Sequence, residues 1–302
     1  MTEIITLFGG AGFIGRHVLQ KLVRRGLTVR VASRSALSGR SLCVGAEPGQ
    51  VIPLRVDLRD PAAIAAAVRG SRAVVNFVGI LAEARGGDFE ALQHQGAGAI
   101  ARAATEAGVR DMVHLSAIGA AADSPSLYAR TKAMGEQAVL AGFPGAVILR
   151  PSLVFGAGDG FFNRFAQIAR LSPVMPVFYG NTRFQPIWVE DVAEAVVRCL
   201  EAPALRGQTL ELGGPSIRSF RQLMQDVLRY TGLRRRLLDI PPAIAEWQAR
   251  IMEHVPGKPL TRDQLVLLQR DNVVTGKDGL SALGITPHPA DVIAPGYLRG
   301  PR

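Results

Sequence analysis

The stretch IITLFGGAGFIG, residues 4–15, decides the fold of this chain. Its apolar first half predicts a buried strand, and its glycines predict a tight turn that opens a helix. The first glycine permits the turn, the second permits close backbone approach to a pyrophosphate, and the third permits close packing of helix on strand. The helix N-terminus would then face the phosphates. The predicted cofactor contacts here are Gly9, Gly12, Phe13, Ile14 and Gly15.

Outward from this stretch, short apolar runs alternate with alanine-rich segments of helical character. This alternation predicts an α/β protein with a Rossmann-type doubly wound parallel sheet. The predicted strands are 4–8, 28–32, 51–56, 73–77, 112–115 and 146–149. The predicted helices between them are 14–25, 61–68, 89–107 and 127–141.

After Arg150-Pro151 the pattern changes to prolines, glycines and short strands interrupted by helices. We therefore predict a dinucleotide-binding domain at residues 1–150 and a smaller α+β lobe at 151–302, partly interleaved with the first. The helices expected in this lobe are 162–170, 189–200, 220–230, 243–253 and 261–270.

The end of the second predicted strand indicates which dinucleotide binds. An acidic residue there would accept hydrogen bonds from a ribose 2′-hydroxyl, whereas an arginine accommodates a 2′-phosphate. No Asp or Glu occurs between Glu3 and Glu47, and the strand ends in Ser33-Arg34. These residues predict NADPH.

Two further strand ends supply candidate contacts, because the carboxyl ends of parallel strands line the ligand crevice. Asp57-Leu58 follows the third strand, where the carboxylate is placed to accept from an adenine amino group. Val78-Gly79 follows the fourth strand and leaves room for the adenosine ribose.

Tyr128 and Lys132 are four residues apart, so they share one face of a predicted helix. A nearby ammonium lowers the pKa of a phenol and can hold the nicotinamide ribose, which makes Tyr128 a candidate general acid–base. Ser116, after the fifth strand, would complete a Ser–Tyr–Lys set. Half-buried packing of the tyrosine is the alternative interpretation.

The chain carries an excess of basic residues. Lys and Arg outnumber Asp and Glu by 35 to 25 among 302 residues, giving a net charge of +10. Two explanations of this excess of basic residues stay open: the base composition of the genome, and an acidic partner. The tightest basic run is Arg234–Arg236.

The two cysteines, Cys43 and Cys199, match no zinc spacing, and we predict no metal site and no nucleic-acid partner. No apolar run approaches the length of a membrane span.

Taken together, these motifs resemble the extended short-chain dehydrogenase/reductases, over roughly residues 3 to 240. The resemblance rests on GGAGFIG, VDL, VNFVG, YxxxK, RP at 150–151 and QPIWVEDVA at 185–193, in the family's order. It implies an NAD(P)-binding fold and adds Pro151 as a cofactor contact, but it names no reaction. The family's usual serine pair after the fifth strand is replaced by Leu115-Ser116-Ala117, so Ser116 is expected to be vestigial.

A narrower resemblance lies further along the chain, in LRPSLVFG at 149–156, LTRDQL at 260–265 and RDNVV at 270–274. These segments resemble the NADPH-binding accessory subunits of respiratory complex I and their bacterial relatives. The resemblance implies a bound, non-catalytic NADPH and a place near the quinone site, where the hydrophilic and membrane arms meet. It also implies a peripheral or cytoplasmic location on the cytoplasmic side of the bacterial inner membrane. The alternatives are an NADP-dependent oxidoreductase or epimerase and a redox-sensing regulator.

Overall fold

The computed structural model describes residues 3–35, 42 and 45–299. Cys43 lies outside them, and Cys199 is buried. The strands are β1 Ile4–Phe8, β2 Thr28–Ser33, β3 Val51–Arg55, β4 Ala73–Asn76, β5 Asp111–Leu115, β6 Val147–Pro151, β7 Val154–Phe155, β8 Val174–Val177, β9 Arg183–Phe184, β10 Ile187–Trp188, β11 Thr209–Leu212, β12 Arg218–Ser219 and β13 Arg236–Asp239. The α-helices are α1 Phe13–Arg24, α2 Pro61–Val68, α3 Gly96–Glu106, α4 Leu127–Gly142, α5 Phe162–Leu171, α6 Val189–Cys199, α7 Phe220–Thr231, α8 Pro242–Met252, α9 Arg262–Leu267, α10 Gly279–Ala282, α11 Ala290–Ile293 and α12 Pro295–Leu298.

Seven strands form one parallel sheet in the order β3-β2-β1-β4-β5-β6-β11. One face packs against α1 and α6, through residues such as Val18 and Val196, and the other packs against α2, α3 and α4, through residues such as Ile64 and Ile100. Burial on both faces accounts for the continuously apolar strands of the sequence. The predicted doubly wound Rossmann-type fold is confirmed.

The seventh strand, β11, was not among the predicted strands. It comes from beyond residue 150, pairs in parallel with β6 and buries both Leu210 and Leu212. The division of the chain at residue 150 stays a prediction, and β11 crosses it to complete the sheet.

The remaining elements after β6 surround a separate aromatic core. Its fully buried members include Phe155, Phe162 and Phe220, which α5, α7 and the adjoining segments contribute. Among the described residues, the strands here form two-stranded pairs: β7 with β10, β8 with β13 and β9 with β12. Within the described ranges, no helix has both the length and the apolar character needed to cross a membrane.

The helix predicted over residues 89–107 is interrupted. Residues Glu90–Gln95 form a π-helical turn that continues into α3. The backbone here lies very close to α4, because a Cβ built on Gly135 would be 2.1 Å from the Gln93 carbonyl oxygen. Single π turns of this kind are frequent at functional sites.

Candidate cofactor site

The glycine-rich turn joins β1 to α1 and has the geometry that the motif requires. Gly9 has a positive φ of 75°, and its carbonyl oxygen accepts a hydrogen bond of 2.9 Å from the Gly12 amide. A Cβ on Gly15 would be 2.6 Å from both Gly10 Cα and Gly9 O, so only glycine fits. The backbone of the turn is therefore held against the first turn of the helix.

The N-terminus of α1 fits an anionic group. Gly12 is its N-cap, no side chain caps its amides, and no acidic residue lies in its first turn. The first amides of a helix have no partner within the helix and carry partial positive charge. Phe13, Ile14 and Gly15 supply them here. These groups would bind the pyrophosphate of a dinucleotide, as helix N-termini do.

The candidate adenosine contacts lie at the ends of neighbouring strands. Arg34 is exposed directly after β2, while Ser33 Oγ donates to the Ser35 carbonyl oxygen at 2.8 Å. Asp57 is half exposed and accepts from the Arg59 amide at 3.0 Å. Leu58 is buried in the core beneath α2 and α3, so its side chain contributes packing.

The ends of β4 and β6 bring further predicted residues to the same edge. The Val78 amide donates to Asn76 Oδ1 at 3.0 Å, and a Cβ on Gly79 would be 3.0 Å from Lys132 Nζ. The Pro151 carbonyl oxygen accepts from the Ile118 amide. The fold thus places the strand-end candidates and the candidate lysine on one edge of the sheet.

Lys132 lies buried below this edge. Its ammonium donates to the Leu115 carbonyl oxygen at 3.0 Å. Burial lowers the pKa of Lys132 to about 8, although the Glu136 carboxylate acts in the opposite direction. The group is therefore placed to change charge just above neutral pH.

Tyr128 lies one turn earlier on α4, half buried with its ring edge-on to Phe89 at 6.1 Å. Burial and the Asp263 carboxylate raise the pKa of Tyr128 to about 12. This direction is opposite to the lowering that the Tyr–Lys spacing led us to expect. The expectation was wrong because burial of the ring disfavours the phenolate, and the nearby charge that acts on it is the Asp263 carboxylate, while Lys132 is directed to Leu115 O.

Several polar atoms at this edge are buried without a partner in the described structure. They are Ser116 Oγ, Gln93 Oε1 and His114 Nε2. Gln93 uses its amide nitrogen to donate to Thr131 Oγ1, and His114 Nδ1 is 3.1 Å from Asn76 Nδ2. Burial, with a smaller contribution from the Lys132 charge, lowers the pKa of His114 to about 3, so the ring is neutral near pH 7. Buried polar atoms are normally paired, so this group marks the edge as a place for a ligand.

A C-terminal segment that we name the strap, residues 258–278, crosses the same edge. Asp263 accepts hydrogen bonds from the Leu127 amide at 2.7 Å, the Tyr128 amide at 3.2 Å and Ser126 Oγ at 2.9 Å. It therefore caps the helix that carries Tyr128 and Lys132. Because this contact spans 136 residues of sequence, only the resemblance of LTRDQL marked the segment, and its internal role was missed.

Farther along the strap, Asn272 and its neighbours contact residues that follow β5 and β6 and a residue of β11. Ser152 Oγ lies 2.8 Å from Asn272 O and 2.7 Å from its Oδ1, and Asn272 Nδ2 donates to Ile118 O at 3.1 Å. Glu211, on β11, accepts from the amides of Thr275 and Gly276 at 2.8 Å each. In the part of the chain that the structure describes, no group of three His, Cys, Asp or Glu residues could hold a metal.

A glycine turn opening onto an uncapped helix, with a buried lysine beside it, defines a nucleotide-cofactor protein of the Rossmann class. The chain matches the family model of the NAD dependent epimerase/dehydratase family over residues 5–213 and belongs to that family. The predicted resemblance to the extended dehydrogenase/reductases is thereby confirmed.

Among curated relatives, the chain is 34% identical over 282 residues to the mitochondrial NADH dehydrogenase [ubiquinone] 1 alpha subcomplex subunit 9 of Arabidopsis thaliana, covering 90% of this chain and 69% of that protein. It is also 30% identical over 241 residues to ceramide reductase of Caulobacter vibrioides, covering 79% of this chain and 74% of that one. The chain is thus homologous to a complex I subunit and related to reductases.

A solved structure with the same fold is the NADPH-dependent quinone oxidoreductase of Escherichia coli complexed with NADPH. It matches with a TM-score of 0.77 at 17% identity, over 97% of this chain and 99% of that chain. This likeness establishes the shared fold.

Proposed function

We propose that this protein is an NADPH-binding accessory subunit of respiratory complex I that holds its cofactor without metabolic turnover. Its place is near the quinone site, where the hydrophilic and membrane arms meet, peripheral to the cytoplasmic face of a bacterial inner membrane. The homology to a complex I subunit over nine-tenths of the chain supports the proposed association with complex I. The observation that carries the lack of turnover is the environment of Tyr128.

Acid–base catalysis by a tyrosine near neutral pH requires a phenol whose pKa is brought down towards the working pH. Tyr128 has the reverse, a pKa raised to about 12, and no hydrogen bond to its hydroxyl occurs within the described residues. Ser116, the candidate second donor, lies buried at the end of β5, also without a partner there. The environment of Tyr128 therefore favours retention of the cofactor over its oxidation.

The choice of NADPH is supported by the residues around β2. Arg34 is exposed at the position where an acidic residue would recognise a free ribose hydroxyl, and the surrounding sequence offers no acid. The α1 N-terminus would bind the pyrophosphate, and Lys132 would hold the nicotinamide ribose. When bound, a nicotinamide cofactor supplies hydride transfer; the protein supplies its position.

Two measurements test this cofactor assignment. Purified protein should bind NADPH more tightly than NADH, and Arg34→Ala should erase most of the difference. A charged hydrogen bond to phosphate contributes about 1.5–3 kcal/mol, or one to two decades in affinity. The control is Arg69→Ala, another exposed arginine, which should keep the preference. Equal affinity of the wild type for both cofactors would contradict the assignment.

The accessory role is tested by association and by turnover. A tagged chain, captured from gently solubilised membranes and analysed by mass spectrometry, should bring complex I subunits with it. Tyr128→Phe should leave complex I assembly and activity near wild type. Lys132→Ala should lower NADPH retention and destabilise the subunit, because a ligand at 100 times its Kd adds about 2.7 kcal/mol.

A second candidate function is an NADPH-dependent reductase. The Tyr128–Lys132 pair on one helix and the unpartnered Ser116 hydroxyl favour it, as does the similarity to ceramide reductase. NADPH oxidation with an added carbonyl or quinone substrate that disappears in Tyr128→Phe would replace the accessory function by this one.

A further inference from the structure

The Arg234–Arg236 run lies on an exposed edge of the second lobe. No carboxylate of the described residues forms an ion pair with any of the three guanidinium groups. Arg235 donates to the Ala169 carbonyl oxygen at 2.7 Å, which fixes the run against the end of α5. Arginines such as Arg25, Arg150 and Arg229 form ion pairs with carboxylates, whereas the charge of this run is not neutralised by any described carboxylate.

Apolar side chains protrude beside these arginines. Leu171, at the end of α5, is 89% exposed, and Leu238 on β13 is 50% exposed. β13 pairs in parallel with β8, with Arg236 opposite Val174 and Leu238 opposite Pro176. Because alternate residues of a strand share a face, Val174, Arg236 and Leu238 lie on one surface, away from the buried Met175. We name this the basic–apolar edge: residues 171, 174, 234–236 and 238.

The helix that follows continues the apolar character. α8 begins at Pro242, soon after β13, and packs inward through Ala245 and Ala249, both fully buried. On another side of the same helix, Ile244, Trp247 and Ile251 are exposed by 48%, 64% and 48%, spaced as one stripe. Exposed large apolar residues at helical spacing, with a tryptophan among them, mark an interaction surface rather than ordinary solvent contact.

We propose that the basic–apolar edge and the exposed stripe of α8 bind the surface of an anionic lipid bilayer. Unpaired guanidinium groups attract phosphate headgroups, and each cation near such a surface strengthens binding by severalfold. Leucine, isoleucine and tryptophan side chains enter the boundary between headgroups and acyl chains, where tryptophan is favoured. An acidic protein surface would attract the arginines but would not account for the exposed apolar side chains of Leu171 and Leu238 beside them.

The test uses the full-length chain and vesicles of phosphatidylcholine, with or without about one third phosphatidylglycerol. Wild type should sediment with the anionic vesicles and much less with the neutral ones, and added salt should release it. Arg234→Glu combined with Arg236→Glu should weaken binding at least tenfold. The matched control is Arg24→Glu with Arg69→Glu, which changes the charge equally at two exposed arginines of the first domain and should retain most binding.

Tryptophan fluorescence tests the apolar part. Trp247 emission should shift to shorter wavelength on addition of anionic vesicles, and the shift should be lost in Trp247→Phe while half-buried Trp188 remains. Thermal unfolding and NADPH binding of every variant report whether it is folded. Equal binding of wild type and the Arg234/Arg236 variant to anionic vesicles would overturn the proposal. So would a variant that binds vesicles normally but no longer captures complex I subunits, because the edge would then be a protein interface.

This proposal does not rest on the bound cofactor or on complex I, since vesicle binding is measured on the isolated chain. If the Arg234/Arg236 variant binds vesicles normally but no longer captures complex I subunits, only the lipid-binding proposal is contradicted. If the wild type binds vesicles normally but captures no complex I subunit, only the accessory function is contradicted.

Discussion

The cofactor edge and the strap lie against each other but use their polar groups in opposite ways. At the cofactor edge, Ser116 Oγ, Gln93 Oε1 and the first amides of α1 have no side-chain partner among the described residues. In the strap, the carboxylate of Asp263 and the side-chain amide of Asn272 both form hydrogen bonds within the chain. Since an unmade buried hydrogen bond is costly, we expect a ligand to complete the first region, whereas the contacts of the second are already made within the fold.

The largest expected effect separates binding from folding at the glycine turn. A Cβ on Gly12 would meet Gly9 O at 3.1 Å, and the valine branches would occupy the space in front of the α1 amides. Gly12→Val should therefore weaken NADPH binding at least a hundredfold, about 2.7 kcal/mol, with a small change in Tm. Titration and thermal unfolding measure the two quantities. Gly296→Ala, where a Cβ meets nothing within 4 Å, is the control and should bind normally. NADPH retained by Gly12→Val would show that the motif is misplaced.

The second-largest effect is expected in the strap, where a substitution should change stability. Asp263→Ala removes three hydrogen bonds from the start of α4 and should lower the free energy of unfolding by about 1–2 kcal/mol. Without the carboxylate, the pKa of Tyr128 should fall, which an ultraviolet pH titration measures.

Hydrogen exchange at the amides of Leu127 and Tyr128 localises the Asp263 effect, and both should exchange faster in Asp263→Ala. The control is Asp271→Ala, elsewhere in the strap, which removes an exposed ion pair to Arg183 and a hydrogen bond from the Arg183 amide and should cost about 1 kcal/mol or less. Equal losses in the two variants would mean that Asp263 contributes no more than a surface charge.

Lys132 gives the third test, through opposite pH dependences of stability and binding. Its pKa is about 8 in the folded chain and near 10.5 in the unfolded one, so between these values the unfolded chain binds more protons. The ligand-free protein should thus gain stability as the pH rises above 8. NADPH affinity should fall about tenfold from pH 7 to pH 9, since the ammonium is the form that donates.

Lys132→Met should lose both dependences on pH, whereas Lys277→Met, a lysine of the strap, should keep them. Unfolding in urea and cofactor titration at each pH are the measurements. An affinity for NADPH that stays constant across this range would remove Lys132 from the binding site.

The smallest effect compares two serines. Ser116→Ala removes a buried hydroxyl without a partner and should leave stability within about 0.5 kcal/mol or slightly raised. Ser152→Ala removes the hydroxyl that contacts Asn272 and should cost about 1 kcal/mol. Chemical denaturation distinguishes them, and a larger loss at Ser116 than at Ser152 would contradict the contrast between the two regions.

The sequence predicts the cofactor edge well because its signals are local. Each strand of β1 to β6 is a compact apolar run, and the turn at Gly9 and Gly12 depends on backbone space that glycine alone provides. The strand ends then share an edge through the topology, without any further information from the sequence.

The contacts of the strap could not be predicted, because they join residues that are far apart in the sequence. Asp263 forms its hydrogen bonds with the start of α4, and Asn272 forms one with Ser152, in each case across more than a hundred residues of chain. The sequence of β11 is not a continuous apolar run, because Glu211 separates Leu210 from Leu212, and the strand is stabilised by pairing with β6. The raised pKa of Tyr128 comes from burial and from the distant Asp263 carboxylate, so the spacing of Tyr128 and Lys132 predicted its direction wrongly.

The position of β11 has a consequence for how the protein is made. A ribosome releases β6 long before β11, and the Glu211 amide of β11 in turn donates to the Lys277 carbonyl oxygen. Until that late segment emerges, the nascent sheet presents β6 as an open edge that can pair with other chains. We therefore expect a chain that ends before Thr209 to keep this edge of β6 open and to aggregate more readily than a chain that includes β11.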